Sequence, residues 1–477
     1  MVRTQPMVEQ WNGSAADAVR LLRGRDGLVW LDSADRSSST RARWSVVGSD
    51  PRWLLVAYRD DLFLAGACCP RRLSGGALAA FAELVEAEGV VPPASVEGID
   101  LPFAGGAIGY LGFELGREIE RLPATTTDDV GAPELAFGWY DAAVVEDHKT
   151  GRTWLAGRPD AVATLRRRLV TRRATTSEVS SGIGVLRSNI SRERYLAAVE
   201  RARVYIEAGD IYQVNLSQRF SAPCGISGLD LYERLRTVSP APFAAYLDFR
   251  GELANVEVLS SSPERFLLAD AKQLETRPIK GTRPRGGTPE LDLMLAEELR
   301  ESVKDRAEHV MIVDLERNDL GRVAETGTVQ IRELAELESY AQVHHLTSVV
   351  SAQRRPGVGL EELLRATFPG GSISGAPKIR ALEIIDELEP TVRGVYTGAI
   401  GYVSAHGRLD LNIAIRTITL ADGMAHMHVG GAIVHDSEPE AEYQETLDKA
   451  RGMARALEVS LPDEDVSLTV GGVRADR

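Results

Sequence analysis

Short apolar runs separated by polar turns fill the first third of the chain, and longer periods follow. Leu28 to Leu31, Trp44 to Val47 and Trp53 to Tyr58 predict strands. Leu101 to Tyr110 is apolar and glycine-rich, a composition that lets backbones approach closely or turn. Leu165 to Arg173 is arginine-rich and predicts a solvated helix. Ala174 to Gly184 is small and polar and is the linker candidate. The spacing of Tyr195, Val199, Ala202 and Ile206 then predicts a helix, capped by Ser191 and ended by Gly209. Further on, Ile211 to Phe220, Ala399 to Val403, Leu411 to Leu420 and Met424 to Val429 read as strands between helices. Tight links such as Ala405-His-Gly407 and Ala421-Asp-Gly423 predict antiparallel pairing rather than a doubly wound parallel sheet. The organisation expected is an N-terminal region at 1–173, a linker at 174–188, a second region at 189–461 and a frayed tail at 462–477.

Composition narrows the classes. At 44% apolar, 477 residues can build a sizeable core, which excludes global disorder. A net charge of −14 argues against a general nucleic-acid binder, which needs a positive face. Three cysteines, two of them adjacent (Cys68, Cys69, with Cys224 apart), make no disulfide framework and fit a reducing cytoplasm. No apolar run reaches the ~20 residues of a membrane span. The start, MVRTQPMVEQWNGS, lacks a signal peptide's apolar stretch.

Five segments carry candidate chemistry. Asp305 and Glu308 lie three apart on one predicted helix, and Glu442 and Glu445 repeat the device near the C-terminus. If the faces meet, four carboxylates converge, a set suited to Mg²⁺; otherwise they are two solvated faces. In Ser262-Pro-Glu-Arg-Phe266, Glu264 is a general acid if burial raises its pKa, or a surface turn. In Thr276-Arg-Pro-Ile-Lys-Gly-Thr-Arg-Pro-Arg285, Lys280 is a nucleophile if Arg277, Arg283 or Arg285 helps lower its pKa, or part of a basic loop. Phe368 to Lys378 is a Gly/Ser loop running into a helix from about Pro377 to Glu389; it offers N–H groups to an anion or is a capped turn, and does not match a Walker A loop. Gly430-Gly431 ends a strand as a bulge or as a backbone approach to ligand, and His345 is a ligand contact or a core histidine. No H-E-x-x-H, G-x-S-x-G or C-x-x-C motif is present, which disfavours zinc and serine hydrolases.

SPERF, RPIKGTRPRG, KDRAEHVMIVDLERNDLGRV, FPGGSISGAPKIRALEIIDELEP, GAIGY and AEYQETLDKA occur in that order. In that order they resemble the chorismate-utilising enzymes: anthranilate synthase large subunits, aminodeoxychorismate synthases, and isochorismate or salicylate synthases. The likeness runs from about Leu28 to Leu457 and is strongest from Ser191 onward. It implies an α+β fold of large, mostly antiparallel sheets packed together with helices outside, and a cleft in the C-terminal region.

Within the family, anthranilate synthases typically carry alanine where this chain has Lys280. The lysine is similar to the aminodeoxychorismate branch, in which it is the nucleophile. Water-adding members carry a lysine where this chain has Gln213. The resemblance implies Glu308 and Glu445 as direct Mg²⁺ ligands, with Asp305 and Glu442 outside them. It implies Gly281, Thr282, Tyr396, Arg416, Gly430, Gly431 and Gln213 as chorismate contacts, and His345 as an active-site histidine. Ala432 replaces a more usual glycine. Ser33, Arg43, Trp44, Pro242, Phe243 and Ala244 match the walls of a family tryptophan pocket, with Asp32 in place of a glutamate and Arg36 to Ala42 divergent.

The activity so implied is amination of chorismate to 4-amino-4-deoxychorismate, for 4-aminobenzoate and folate biosynthesis. Glu264 would be the general acid and Lys280 the covalent nucleophile. No amidotransferase elbow such as G-x-C-x-G is present, which implies a separate glutaminase subunit that supplies ammonia. The alternatives are an anthranilate synthase large subunit and a subunit that regulates without catalysing; a nucleotide binder is a distant third.

Overall fold

The structure is a computed structural model, and the residues described are 5–35, 42–66, 69–170, 186–251, 253–339 and 343–462. The expected linker at 174–188 lies almost wholly outside them, as do Cys68 and, save Pro462, the tail at 462–477.

Two large sheets dominate, each of twelve strands. Three apolar clusters fix their arrangement. One holds Val29, Val46, Ala245 and Val258 from the first sheet with Val56, Ile108 and Ile400 from the second, so the sheets pack face to face. A second joins the first sheet to helices that include Arg192–Glu207, Gly228–Val238, Lys378–Leu388 and Pro439–Leu457. The third joins the other sheet to Ala77–Glu88, Val303–Gly321 and Leu360–Thr367. Helices therefore lie outside a double sheet, the expected α+β architecture. Strands from both sides of residues 174–188 share each sheet: Val29–Asp32 pairs with Phe243–Asp248, and Gly106–Leu111 with Ala399–Ser404.

Local signals explain the elements. Ser191 caps its helix, accepting from the Arg194 N–H, and Tyr195, Val199 and Ala202 are buried beneath it. Such a cap stabilises by ~1 kcal/mol. Trp53–Tyr58 is a strand as predicted, and the described part of the predicted helix at Leu165 to Arg173, up to Val170, belongs to the helix Pro159–Val170.

One expectation is corrected. Leu411 to Leu420 is two strands, not one: Leu409–Ile413 lies in the second sheet and Thr417–Ala421 in the first. The chain crosses between the sheets at residues 414–416, where Arg416 takes a positive φ of 51°. A second crossing runs beside it. Val256–Ser262 belongs to the first sheet and Arg265–Ala269 to the second, so Pro263 and Glu264 bridge the gap. The Ile413 N–H donates to the Glu264 carbonyl at 3.0 Å and the Ser261 N–H to that of Arg416 at 3.0 Å. The double crossing brings together two residues 152 positions apart, 416 − 264.

Candidate active site

Glu264 is held rigidly at its crossing. Its own N–H donates to the Ser262 hydroxyl, which in turn donates to the Ile413 carbonyl at 2.5 Å. The residue is 4% exposed, and burial pushes its carboxyl above the ordinary range; the Lys280 and Arg416 charges oppose this only in part. Arg416 enters no ion pair among the described residues. Burial pushes its guanidinium down, and the Glu264 charge is the opposing influence. A cation so placed can take an incoming carboxylate in a planar fork.

Lys280 comes from Ile279–Pro284, an edge strand of the second sheet. Its Nζ donates to the Ser372 carbonyl at 3.2 Å. Loss of hydration pushes the ammonium below the usual lysine range, while Glu308, Glu264 and Glu445 pull the other way. The flanking arginines do not supply the shift. Arg277 pairs with Glu333, Arg283 with Glu298 and Asp305, and Arg285 with Asp292. Asp292 and Glu298 lie on the next helix, Pro289–Glu301, Asp305 on the one after it and Glu333 on a strand further on, all outside the basic run.

The two acidic helices do approach one another. Glu308 lies on Val303–Gly321, and burial raises its carboxyl; Asp305 and Glu442 push it further up, against Lys280 and Lys304. Glu442 is raised by burial and by Glu445, and its Oε2 is buried without a donor. Glu445 behaves oppositely: burial pushes it up, but Lys449 at 2.7 Å outweighs that and leaves it lowered. Asp305 pairs with Arg283 at 3.2 Å. Among the described residues no three His, Cys, Asp or Glu side chains are drawn close enough to hold an ion as they stand. The chemistry nevertheless fits a hard cation: the carboxylates of half-buried Glu308, buried Glu442 and half-exposed Glu445 face one another, and Glu442 Oε2 has no donor among the described residues.

Glycines make room for this meeting. A Cβ on Gly431 would lie 3.1 Å from Glu442 Oε2 and 3.6 Å from Glu445 Oε1. Gly281, at φ 73°, would meet Leu299 at 2.7 Å and Asp305 at 3.2 Å. Gly430 and Ala432 pair with Ser217 and Asn215 in the same ladder, and the Gly430 carbonyl accepts from Lys449. Thr282 Oγ1 and His345 Nδ1 are 2.9 Å apart. Tyr396 stacks on His428, with ring centroids 5.3 Å apart. Gln213 is fully buried, and both polar atoms of its amide lack a partner among the described residues.

The Gly/Ser loop is buried rather than open to an anion, and its helix is Lys378–Leu388. The loop's contribution is the Ser372 carbonyl, a contact that sequence reasoning missed. Lys449 was also missed, although its i+4 spacing from Glu445 is a legible pairing signal.

A separate cavity of about 500 Å³ opens between the sheets. All six predicted pocket residues line it: Ser33, Arg43, Trp44, Pro242, Phe243 and Ala244. Ser33 Oγ donates to the Trp44 carbonyl, and Arg43 pairs with Asp147 while stacking on Trp44. Asp32 pairs with Arg236 at 2.7 Å. Tyr402, Arg408 and Asn412 complete the far wall and were not anticipated. Residues 36–41 lie outside the described set.

With this geometry in hand, the sequence pattern of the chorismate binding enzymes matches residues 31–455. The chain belongs to the chorismate binding enzyme family. Aminodeoxychorismate synthase component 1 of Salmonella typhimurium is 45% identical over 359 residues, covering 75% of this chain and 78% of that one. Anthranilate synthase component 1 of Thermus thermophilus is 44% identical over 367 residues, covering 75% and 79%. The crystal structure of anthranilate synthase component I from Streptococcus pneumoniae TIGR4 superimposes with a TM-score of 0.76 at 33% identity, covering 88% of this chain and 93% of that one. No described helix is long and apolar enough to cross a membrane. At 45% and 44%, overall identity does not separate the aminodeoxychorismate synthase relative from the anthranilate synthase relative.

Proposed function

We propose that this chorismate binding enzyme aminates chorismate at C4, giving 4-amino-4-deoxychorismate. The observation that carries the reading is Lys280, whose Nζ is held by the Ser372 carbonyl and whose ammonium burial pushes down, beside the buried Glu264, which accepts from the Ile279 N–H at 3.4 Å and whose carboxyl burial pushes up.

Arg416 meets a substrate carboxylate. Glu308 and Glu445 would hold Mg²⁺, with Asp305 and Glu442 around them; when bound, the ion supplies positive charge for the ring carboxylate of a dianion. Neutral Lys280 attacks C2. The ring double bonds shift, and the C4 hydroxyl leaves as water with the proton of Glu264. Ammonia then forms a bond to C4, the shift reverses, and Lys280 departs with its electron pair as a neutral amine. The Glu264 carboxylate takes a proton from the new ammonium group, which restores both residues. Direct addition of ammonia at C2 would lead instead to the anthranilate isomer.

Relatives named as component 1 support a second, ammonia-supplying subunit, with the glutaminase as its class. The cavity between the sheets supports an L-tryptophan site. The second reading, an anthranilate synthase, is favoured by the Thermus relative. Chromatography of the products from chorismate, ammonium and Mg²⁺, with and without an added lyase, tests the choice. 4-Amino-4-deoxychorismate, converted to 4-aminobenzoate by the lyase, supports the proposal, and anthranilate refutes it.

A further inference from the structure

Behind the site lies a cation that no catalytic step uses. Arg393 is 3% exposed, and all five N–H donors of its guanidinium are engaged. Nε donates to Glu389 Oε2 at 2.9 Å and Nη2 to Glu389 Oε1 at 2.6 Å, a bidentate pair buried on both sides. Nη2 also reaches the Asn215 carbonyl at 2.7 Å, and Nη1 reaches the Ile373 carbonyl at 3.1 Å and Thr397 Oγ1 at 3.3 Å. The guanidinium stacks on Phe113 at 4.6 Å. The backbone on either side is pinned too: Glu114 accepts from the N–H groups of Arg393 and Gly394 at 2.8 and 3.0 Å.

Each contacted segment carries or adjoins a residue of the candidate site. Ile373 follows Ser372, whose carbonyl receives Lys280 and also the Asn215 side chain at 3.1 Å. Asn215 lies two residues beyond Gln213 on the strand that pairs with Gly430–Ala432. Thr397, at φ 59°, follows Tyr396. Glu389 extends the hold to Ser217 through its N–H and hydroxyl.

We infer that Arg393 is a positioning residue, the common strut that fixes the Ser372 carbonyl, the Asn215 strand and the Tyr396 turn relative to Lys280. A lysine in its place keeps the charge but cannot present five donors in one plane, so it cannot span Glu389, Asn215 and Ile373 at once. With the strut loosened, the Ser372 carbonyl moves off Lys280. The amine then loses an acceptor that favours its charged form and becomes more reactive.

The test reads Lys280 itself without substrate or metal, so its outcome is independent of the amination product. Acylation of the whole chain by acetic anhydride at pH 8 is followed at Lys280 by peptide mass spectrometry. Arg393→Lys is expected to raise the Lys280 rate about threefold or more, equivalent to about half a unit in the amine's proton affinity. Glu389→Gln, which keeps the side chain's shape, is expected to do the same and decides the matter if Arg393→Lys does not fold. Leu22→Ala, a core deletion on the distant helix Ala15–Leu22, lowers the melting temperature without changing that rate. Wild-type or slower rates in the strut variants, or an equal rise in Leu22→Ala, would overturn the inference.

Discussion

The Lys280 amine donates to the Ser372 carbonyl at 3.2 Å, and Asn215 holds that carbonyl from the other side at 3.1 Å. The proposed nucleophile is therefore aimed by a backbone group from a loop 92 residues away, rather than by a charged partner of its own. Its reactivity comes from lost hydration, opposed by nearby carboxylates.

The pH profile should show both groups. Activity requires neutral Lys280, so it rises as that amine loses its proton, at a lower pH than for an ordinary lysine. It also requires protonated Glu264, so it falls as pH climbs through that residue's raised pKa. Glu264→Gln should lower kcat about a hundredfold and abolish the Glu264-dependent limb. Initial rates between pH 5 and 10 check both outcomes.

Gly431 tests the carboxylate cluster. Gly431→Ala puts a methyl group 3.1 Å from Glu442 Oε2. The Mg²⁺ concentration for half-maximal activity should rise about tenfold, with kcat at saturating Mg²⁺ little changed. Chelation should abolish wild-type turnover, and added Mg²⁺ should restore it.

The cavity between the sheets should bind L-tryptophan at one site per chain, measured by titration calorimetry. Arg408 lines it, and its buried Nε has no partner among the described residues. Arg408→Met should weaken binding about tenfold.

Stability should depend on pH through His309. It is fully buried beside Ser348, and lost hydration lowers its pKa to about 4 from an ordinary value of 6.5. Between those values the unfolded chain binds the extra proton. Stability is thus fully present above pH 6.5 and is lost as pH falls toward 4, by about 3 kcal/mol. His309→Gln should flatten that part of the denaturation profile.

The sequence made the chemistry more legible than its placement. The helix from Ser191 and the strand Trp53–Tyr58 follow from cap and pattern alone. Glu264 and Arg416 do not: Leu411 to Leu420 reads as one strand because apolar and polar residues alternate on both sides of Arg416, and only the change of phase between Ile415 and Ile418 marks the backbone turn there. The arginines around Lys280 read as its activators because the pairing of a strand with a following helix, which brings Asp292 and Glu298 to Arg285 and Arg283, has no fixed spacing to read, and Glu333 comes from another strand. Arg393 was legible only in its i,i+4 pairing with Glu389; its other acceptors, the Asn215 and Ile373 carbonyls and Thr397 Oγ1, are brought to it by the fold. The tryptophan-pocket residues came from family likeness, and the structure gathers all six around one cavity.

The most direct test is the mass of the chain after incubation with chorismate and Mg²⁺ in the absence of ammonia. The account predicts an adduct on Lys280 in the wild type, released by added ammonium, and none in Lys280→Ala. An unmodified wild type under rapid quench, or an Lys280→Ala variant that still forms 4-amino-4-deoxychorismate at the wild-type rate, would contradict it.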